Sequence, residues 1–330
     1  MKMKRLTILS ATLLVSGIAA QADTLTMTAG DASGTSSFTD PLTGAAAGWT
    51  DGVTPGQAPT AGNDYQTNQV LRTPATAGSY TFAGDSLTIL SGGQLAIKTP
   101  VSATITVADL ILDGGMISES AASGNGTFTY ELAGNLTVDT TGIIRVSAPG
   151  SSNFHVLNIT AGISGSGVID IDNDANNRGT VQLSAANSFS GTINILNSPR
   201  SSTLGSLRLN HFDALKFATV NASDSNATQQ SITFGAGSGT YNVGALSGSA
   251  ASGDITLASG INLSVGARNT STSFAGYLTG AAGSTFTKVG TGTLTLTGAN
   301  NLDGDIVVSD GTLLIDGNSD STNAVISVGD

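Results

Sequence analysis

From Ser79 onward, apolar residues alternate with Thr or Ser in short runs that end at Gly, Asn or Asp. Examples are the segments 80–82, 87–90, 104–107, 136–138 and 255–257. Alternation with a period of two, rich in β-branched residues and bounded by turn formers, predicts β-strands. Because no helical period lasts for more than one turn, the pattern predicts an all-β chain.

The predicted strands recur at fixed intervals. Segment 90–95 aligns with 112–117 at an offset of 22, and segment 181–195 aligns with 294–308 at an offset of 113. In the longer pair the apolar positions, an Asn (Asn187 and Asn300) and a Gly (Gly191 and Gly304) coincide. Repeats of this length are typical of solenoids, whereas propeller blades need about 40 residues and usually carry an aromatic signature. The chain has one Trp, so the solenoid is favoured.

These observations predict a parallel β-helix over residues 79–330, with Leu, Ile and Val inward, polar residues outward and Gly or Asn at the corners. About eleven coils of roughly 23 residues, with strands ~4.8 Å apart, would form a rod roughly 50 Å long. Both ends of such a rod need covering. Residues 23–78, which contain Pro41, Pro55, Pro59 and Pro74, are expected to be a loop-rich N-terminal section that serves as a cap.

The composition excludes several classes of protein. Gly accounts for 43 of 330 residues, charged residues for 11%, and only Glu119 and Glu131 are Glu, which disfavours helical bundles. The absence of Cys excludes disulfides and thiolate chemistry. A net charge of -11 argues against binding to nucleic acid, which needs a basic surface.

Residues 1–22 have the features of a signal peptide. Lys2, Lys4 and Arg5 precede an apolar run over 6–18, and Ala20 and Ala22 provide a small-x-small cleavage site. The run is shorter than the ~20 residues that span a bilayer, and no later segment holds 18 consecutive apolar residues. Cleavage leaves 9 Lys+Arg against 23 Asp+Glu, a net charge of -14. The chain is therefore expected to be exported, without a transmembrane segment in its mature form.

One stretch has a distinctive order of residues. Lys288 is followed by Gly-x-Gly-Thr-Leu-x-Leu-Thr-Gly-x-Asn over 290–300, then by Gly304 and by Gly-Thr-Leu at 311–313. The stretch resembles the autotransporter-associated β-strand repeat, also called the passenger-associated transport repeat. Leu302 stands where the family usually has an aromatic residue; the earlier copy keeps Phe189 there but has Ala185 in place of a Gly. Repeat copies are expected near 165–195 and 286–316.

Residues 246–280 resemble the stretch that often precedes such a repeat in large bacterial secreted proteins, and residues 49–147 look, less specifically, like the N-terminal part of such proteins. The resemblance implies a right-handed β-helix displayed at, or released from, the surface of a Gram-negative-type bacterium. Such passengers usually precede a C-terminal outer-membrane barrel. Residues 324–330 look like one more strand, so the pattern is expected to continue past Asp330.

Candidate nucleophilic chemistry is weak. Gly84-Asp85-Ser86-Leu87 spells a serine-esterase motif, which requires a His base with an Asp three residues before it. The two His residues, His155 and His211, have Ser152 and Arg208 at that position. A coil corner before a strand is the better interpretation. His155 lies in an alternating strand and is interpreted as an ordinary wall residue.

Two acidic sets were considered for metal binding or hydrolysis. Asp170, Asp172 and Asp174 are spaced as in a calcium loop, but Ala175 and Val181 replace the required Gly and Glu. Asp303, Asp305 and Asp310 could supply the carboxylate pair that a glycosidase needs, yet they fall inside the repeat. Solvated outward positions are favoured for both sets. Gly235-Ala236-Gly237-Ser238-Gly239 lacks the Lys of a phosphate loop and is interpreted as a turn.

The sequence thus predicts a non-catalytic, exported structural or adhesive β-helix, at the outer-membrane surface or outside the cell. No catalytic, cofactor-binding or metal-binding residue is assigned. The expected partners are cell-surface or matrix polysaccharides or proteins, contacted by a polar, acidic wall. The alternative is a polysaccharide-active enzyme, a lyase or glycosidase, on the same fold.

Overall fold

The computed structural model describes residues 22–33, 35–40, 48–119, 127–147, 154–173, 179–197, 205–223, 230–249, 253–317 and 326–329. Within these residues every regular element is a β-strand, and there is no helix. The predicted leader lies, except for Ala22, outside the described residues.

The strands share short lengths and an alternating burial pattern. They are β1 (Thr24–Met27), β2 (Trp49–Thr50), β3 (Asp64–Thr67), β4 (Val70–Arg72), β5 (Tyr80–Thr81), β6 (Ser86–Leu90), β7 (Gln94–Ile97), β8 (Ala103–Asp113), β9 (Met116–Glu119), β10 (Thr127–Val138), β11 (Thr141–Val146), β12 (Phe154–Ile159), β13 (Gly162–Ser164), β14 (Val168–Asp172), β15 (Gly179–Leu183), β16 (Thr192–Asn197), β17 (Leu207–Leu209), β18 (Leu215–Ala222), β19 (Gln230–Phe234), β20 (Gly239–Ser247), β21 (Asp254–Leu257), β22 (Ile261–Val265), β23 (Thr272–Phe274), β24 (Leu278–Gly280), β25 (Thr285–Lys288), β26 (Thr293–Leu296), β27 (Asn301–Leu302), β28 (Asp305–Val308), β29 (Thr312–Ile315) and β30 (Ile326–Val328).

These strands form a parallel β-solenoid. The first sheet runs β1-β3-β6-β8-β10-β12-β15-β17-β19-β21-β24-β27, and the second stacks twelve strands from β4 to β30. A third sheet, β23-β26-β29, forms an extra face near the C-terminal end. Neighbouring strands within each sheet pair in parallel and come from successive coils. The predicted all-β, parallel β-helical fold is therefore confirmed.

Apolar residues stack in columns inside the coils. Along the first sheet, Tyr65, Leu87, Leu110, Leu136 and Ile163 occupy successive paired positions, and all are buried. Burying one such side chain contributes about 1.5–3 kcal/mol. Because each column is continuous, the core depends on every coil presenting an apolar residue at the same position.

The solenoid begins earlier than the predicted start at residue 79. Strand β1 pairs in parallel with β3, and β3 pairs with β6, so residues 23–78 contribute the first coils. Their alternation is real but short, since Leu25 and Met27 are buried while Thr24 and Thr26 are exposed. The Pro and Gly residues between these strands hid that alternation in the sequence.

An aromatic cluster closes the N-terminal end. Strand β2 pairs antiparallel with β1, and the Trp49 ring packs edge-on against Tyr65 and Phe82. The Trp49 Nε1–H donates to the Ser37 carbonyl at 2.8 Å. The Asp31 carboxylate accepts hydrogen bonds from the Ser37 and Arg72 backbone N–H groups, both at 2.9 Å. These contacts cover the first coil and provide hydrogen-bond partners for backbone groups at its edge.

Burying a charge in a column should unfold neighbouring coils. Leu296 and Ile195 are fully buried, so Leu296→Asp or Ile195→Asp should lower the free energy of unfolding by about 4 kcal/mol or more, since the carboxylate finds no partner. Thr295→Asp, on the outward side of the same strand, is the matched control and should cost under about 1 kcal/mol. Urea unfolding followed by circular dichroism measures both, and equal costs would contradict the inward assignment.

Candidate functional site

The repeat residues form corners that join one coil to the next. In the C-terminal copy the Asn300 side chain accepts a hydrogen bond from the Leu278 N–H at 3.3 Å and donates to the Gly298 carbonyl at 2.8 Å. In the earlier copy Asn187 accepts from the Ile163 N–H at 2.9 Å and donates to the Ala214 carbonyl at 3.0 Å. Both Asn side chains are buried. The two copies, matched at an offset of 113 residues, thus use their Asn in the same way toward the preceding coil.

The matched glycines allow the coils to approach closely. A Cβ atom at Gly304 would overlap the backbone carbonyl oxygen of Ser284, and one at Gly191 would overlap that of Gly167. In each case the overlapping atom belongs to the preceding coil and is backbone, so it cannot move aside cheaply. The Asn and Gly of the repeat therefore set the spacing at a corner.

Lys288 anchors the same corner from the inside. It is 1% exposed, and its Nζ donates to the carbonyl oxygens of Val289 at 2.8 Å, Gly290 at 2.6 Å and Asp310 at 3.2 Å. Burial lowers the pKa of Lys288, and the Asp310 charge opposes that shift. One ammonium group thus satisfies carbonyls of two successive coils, which gives the family's Lys a structural role.

Because the coils approach closely at Gly304 but not at Gly162, a methyl group added at Gly304 should destabilise the fold, whereas one added at Gly162 should not. Gly304→Ala should lower the free energy of unfolding by about 1–3 kcal/mol, because the new methyl meets backbone. Gly162→Ala is the matched control, since a Cβ there meets nothing within 4 Å; it should be neutral or stabilising by up to about 1 kcal/mol. Thermal and urea unfolding of both variants check this, and a neutral Gly304→Ala would refute the spacing role.

The structure separates the residues of the serine-esterase motif from both histidines. The Ser86 hydroxyl donates to the Asp64 carboxylate at 2.6 Å. His155 lies on β12, three strands along the first sheet from β6, which corresponds to about 14 Å at the usual strand spacing. The His211 Nδ1 accepts from the Asp213 N–H at 3.1 Å. Ser86 therefore has no imidazole base in the part of the chain that is described.

The acidic sets are also dispersed. Asp170 accepts a hydrogen bond from the Asn194 side chain, Asp172 forms an ion pair with Arg145, and Asp174 lies outside the described residues. Asp305 and Asp310 are exposed and Asp303 is half-buried. Within the described ranges, no group of three or more His, Asp or Glu side chains could hold a metal ion. Segment 235–238 forms the turn between β19 and β20, as predicted, with Gly237 at a φ of 89°, and Gly239 begins β20.

One buried polar cluster was missed by the sequence analysis. The His155 side chain points into the core, not onto the wall, and its Nδ1 lies 2.8 Å from the Glu119 carboxylate. Both residues are at most 1% exposed. The imidazole also packs edge-on against the rings of Phe128 and Tyr130. Among the described residues, neither the Tyr130 hydroxyl nor the His155 Nε2 has a hydrogen-bond partner. The only feature of the sequence that could have pointed to this contact is the scarcity of Glu and His in the chain.

Tyr130 provides a test of this cluster. Burial, and then the nearby Glu119 charge, raises the pKa of the Tyr130 phenol above its ordinary value of 10.0. Above that pH the unfolded chain releases the phenol proton while the folded chain retains it, so stability falls as pH rises. Tyr130→Phe should be within about 1 kcal/mol of the parent at neutral pH, since its hydroxyl is unpartnered, and should lose less stability on alkaline titration.

Urea unfolding at about pH 8 and about pH 11 measures this difference across the ordinary phenol pKa. Tyr277→Phe, at a ring 36% exposed, is the control and should follow the parent protein. If the parent and Tyr130→Phe lose stability in parallel, the buried phenol does not contribute to alkaline sensitivity.

The outward faces carry polar columns linked by hydrogen bonds between coils. Asn194 donates to the Asp170 carboxylate at 2.8 Å, and Asn221 donates to the Asn194 side-chain oxygen at 3.1 Å. On the first sheet the Asn158 side-chain oxygen accepts from Gln182 at 3.0 Å and from Ser184 at 2.6 Å. Side chains of successive coils thus support each other outside the core as well as within it.

The fold and its corners define a class of protein: a parallel β-solenoid whose coils are joined by repeated Asn and Gly contacts. Comparison with known families matches the passenger-associated-transport-repeat to residues 178–197 and 286–315. The chain therefore carries two copies of the autotransporter-associated β-strand repeat. The first match begins at residue 178, later than the predicted 165, and includes the predicted Asn187 and Gly191.

Searches of curated proteins and of solved structures returned no significant match. Nowhere in the described part of the chain is there an apolar helix of membrane-spanning length. The corner contacts of Asn187, Asn300, Gly191 and Gly304 give the repeat a structural role.

Proposed function

We propose that the chain is an exported, non-catalytic scaffold, similar to an autotransporter passenger, that makes adhesive contacts at the cell surface or in the surrounding matrix. The observation that carries this proposal is the set of outward polar side chains that are hydrogen-bonded from coil to coil on a parallel solenoid. The predicted leader supports export, and the repeat family supports an exported or surface location.

The exposed charges support an acidic wall. Asp85, Asp109, Asp113, Asp139 and Asp305 are all exposed. Among the seven basic side chains that the structure describes, only Lys216 is exposed; Arg72, Lys98, Arg145, Arg208, Arg268 and Lys288 are buried or half-buried. The outer surface therefore presents mainly carboxylates, hydroxyls and amides, which suit contacts to polar or cationic groups.

Adhesion by such a wall is multivalent. Each coil offers a few weak polar groups, and the rigid spacing presents many of them to one partner surface at once. Linked weak contacts raise the overall affinity far above that of a single contact. Retention on a surface should consequently rise steeply with the number of molecules displayed.

The alternative, a polysaccharide-active enzyme, lacks an assembled site in the described residues. A glycosidase needs two carboxylates facing one another across the bond to be cleaved. Asp303 precedes β28, Asp305 begins it and Asp310 follows it at a corner, where the Asp310 carboxylate accepts from the Gly311 N–H at 2.8 Å. No observation favours this alternative over the scaffold.

The experiment displays the chain without its predicted leader on beads at graded densities, over cells or extracted matrix of the source bacterium. Retention should rise more steeply than in proportion to density, and Leu296→Asp beads are the unfolded control. A combined Asp109→Asn, Asp113→Asn and Asp139→Asn variant should weaken retention through its lost charge while remaining folded.

Two outcomes would contradict the proposal. One is retention no greater than that of the unfolded control at every density. The other is turnover of pectin-like or uronic-acid polymers that is lost on Asp303→Ala, which would establish the enzyme instead.

A further inference from the structure

A groove runs along the outer face where the second and third sheets meet. It has a volume of about 710 Å³ and is lined by small polar residues, here called the hydroxyl groove: Thr192, Thr219, Asn221, Ser223, Ser247, Gly248, Ser249, Ser273, Ala275 and Thr297. These residues lie on or just after β16, β18, β20, β23 and β26, which belong to five successive coils.

Backbone pairing aligns the lining residues into rows along the rod axis. Thr192 pairs with Thr219, and Asn221 pairs with Ser247. The third sheet continues the rows, because the Gly248 N–H donates to the Ser273 carbonyl at 3.1 Å. Five coils at ~4.8 Å give a groove length of roughly 20 Å. One set of polar groups is thus presented per coil, at a spacing close to the length of one hexose unit in an extended polysaccharide.

The hydroxyls of the groove are only partly engaged within the protein. Ser223 donates to the Asn221 side-chain oxygen at 2.6 Å, and Ser247 donates to the Val220 carbonyl at 3.3 Å. Thr192, Thr219 and Ser273 lie in the same rows, half-buried or exposed. Hydroxyls donate and accept equally well, so the groove suits a ligand that is itself rich in hydroxyl groups.

Among the described residues that line the groove none is charged, although the chain has a net charge of -11. An acidic polysaccharide would meet no cation there and would be repelled by the acidic chain. A protein partner would need a buried aromatic or aliphatic anchor at the centre of its interface, and the lining offers no large apolar side chain. Charge and chemistry together favour a neutral, hydroxyl-rich polymer.

We propose that the hydroxyl groove binds one strand of a neutral polysaccharide, laid along the rod axis with about one sugar unit per coil. This rests on the proposed adhesive function and names the class of one partner, which the groove binds separately from the acidic wall. Because the lining has no aromatic ring on which a sugar could stack, each unit binds weakly and affinity accumulates along the strand.

The test measures binding of linear neutral glucan oligosaccharides of two to six units to the chain without its leader, by titration calorimetry or NMR. Affinity should increase with length up to the five coils of the groove and reach the millimolar range or tighter. Ser273→Leu should weaken binding at least about tenfold, since it removes a hydroxyl and places a bulky apolar side chain in the strand's path. Thr256→Leu, exposed on the first sheet, is the matched control and should bind as the parent does.

Each other outcome overturns the proposal in a distinct way. Absence of neutral-glucan binding, or equal binding by Ser273→Leu, removes the groove as the site. Preference for oligogalacturonates of the same length would assign an acidic partner. If retention on beads persists while the groove fails, only the groove assignment falls; if both fail, the adhesive function falls as well.

Discussion

The structure depends on parallel backbone hydrogen bonding between successive coils. With strands held ~4.8 Å apart, each paired strand residue lies over its counterpart in the neighbouring coil. The column from Tyr65 to Ile163 is therefore apolar at every level, and the column from Asp170 to Asn221 is polar at every level. A residue is constrained less by its neighbours in sequence than by the residues one coil above and below.

Corners are where this constraint is most severe. The chain must turn while staying within hydrogen-bonding distance of the previous coil, which leaves no room for a Cβ at Gly191 or Gly304. Where the backbone ladder is interrupted, Asn187 and Asn300 supply the missing acceptor for an N–H of that coil. The repeat motif is thus a description of corner geometry, which explains why it contains Gly and Asn and no catalytic set.

The same stacking geometry determines which parts of the structure can be predicted from the sequence. Period-two alternation and the offset of 113 were sufficient for the fold class and for the equivalence of the two Asn–Gly corners, because stacking imposes both on the sequence. The first coils were missed, since Leu25 and Tyr65 lie in runs of only four residues separated by Pro-rich segments. The contact between Glu119 and His155 joins residues 36 apart. No local pattern records it, because burial of the two groups depends on how strands from different sheets meet inside the rod.

The direction of the hydrogen bonds has a mechanical consequence. They run along the rod axis, so tension applied between the two ends loads them coil by coil and not all at once. A coil of roughly 23 residues that peels away lengthens from ~4.8 Å to as much as about 80 Å of extended chain. A pull along the rod axis would therefore dissipate work by releasing chain one coil at a time, while the remaining coils stay stacked.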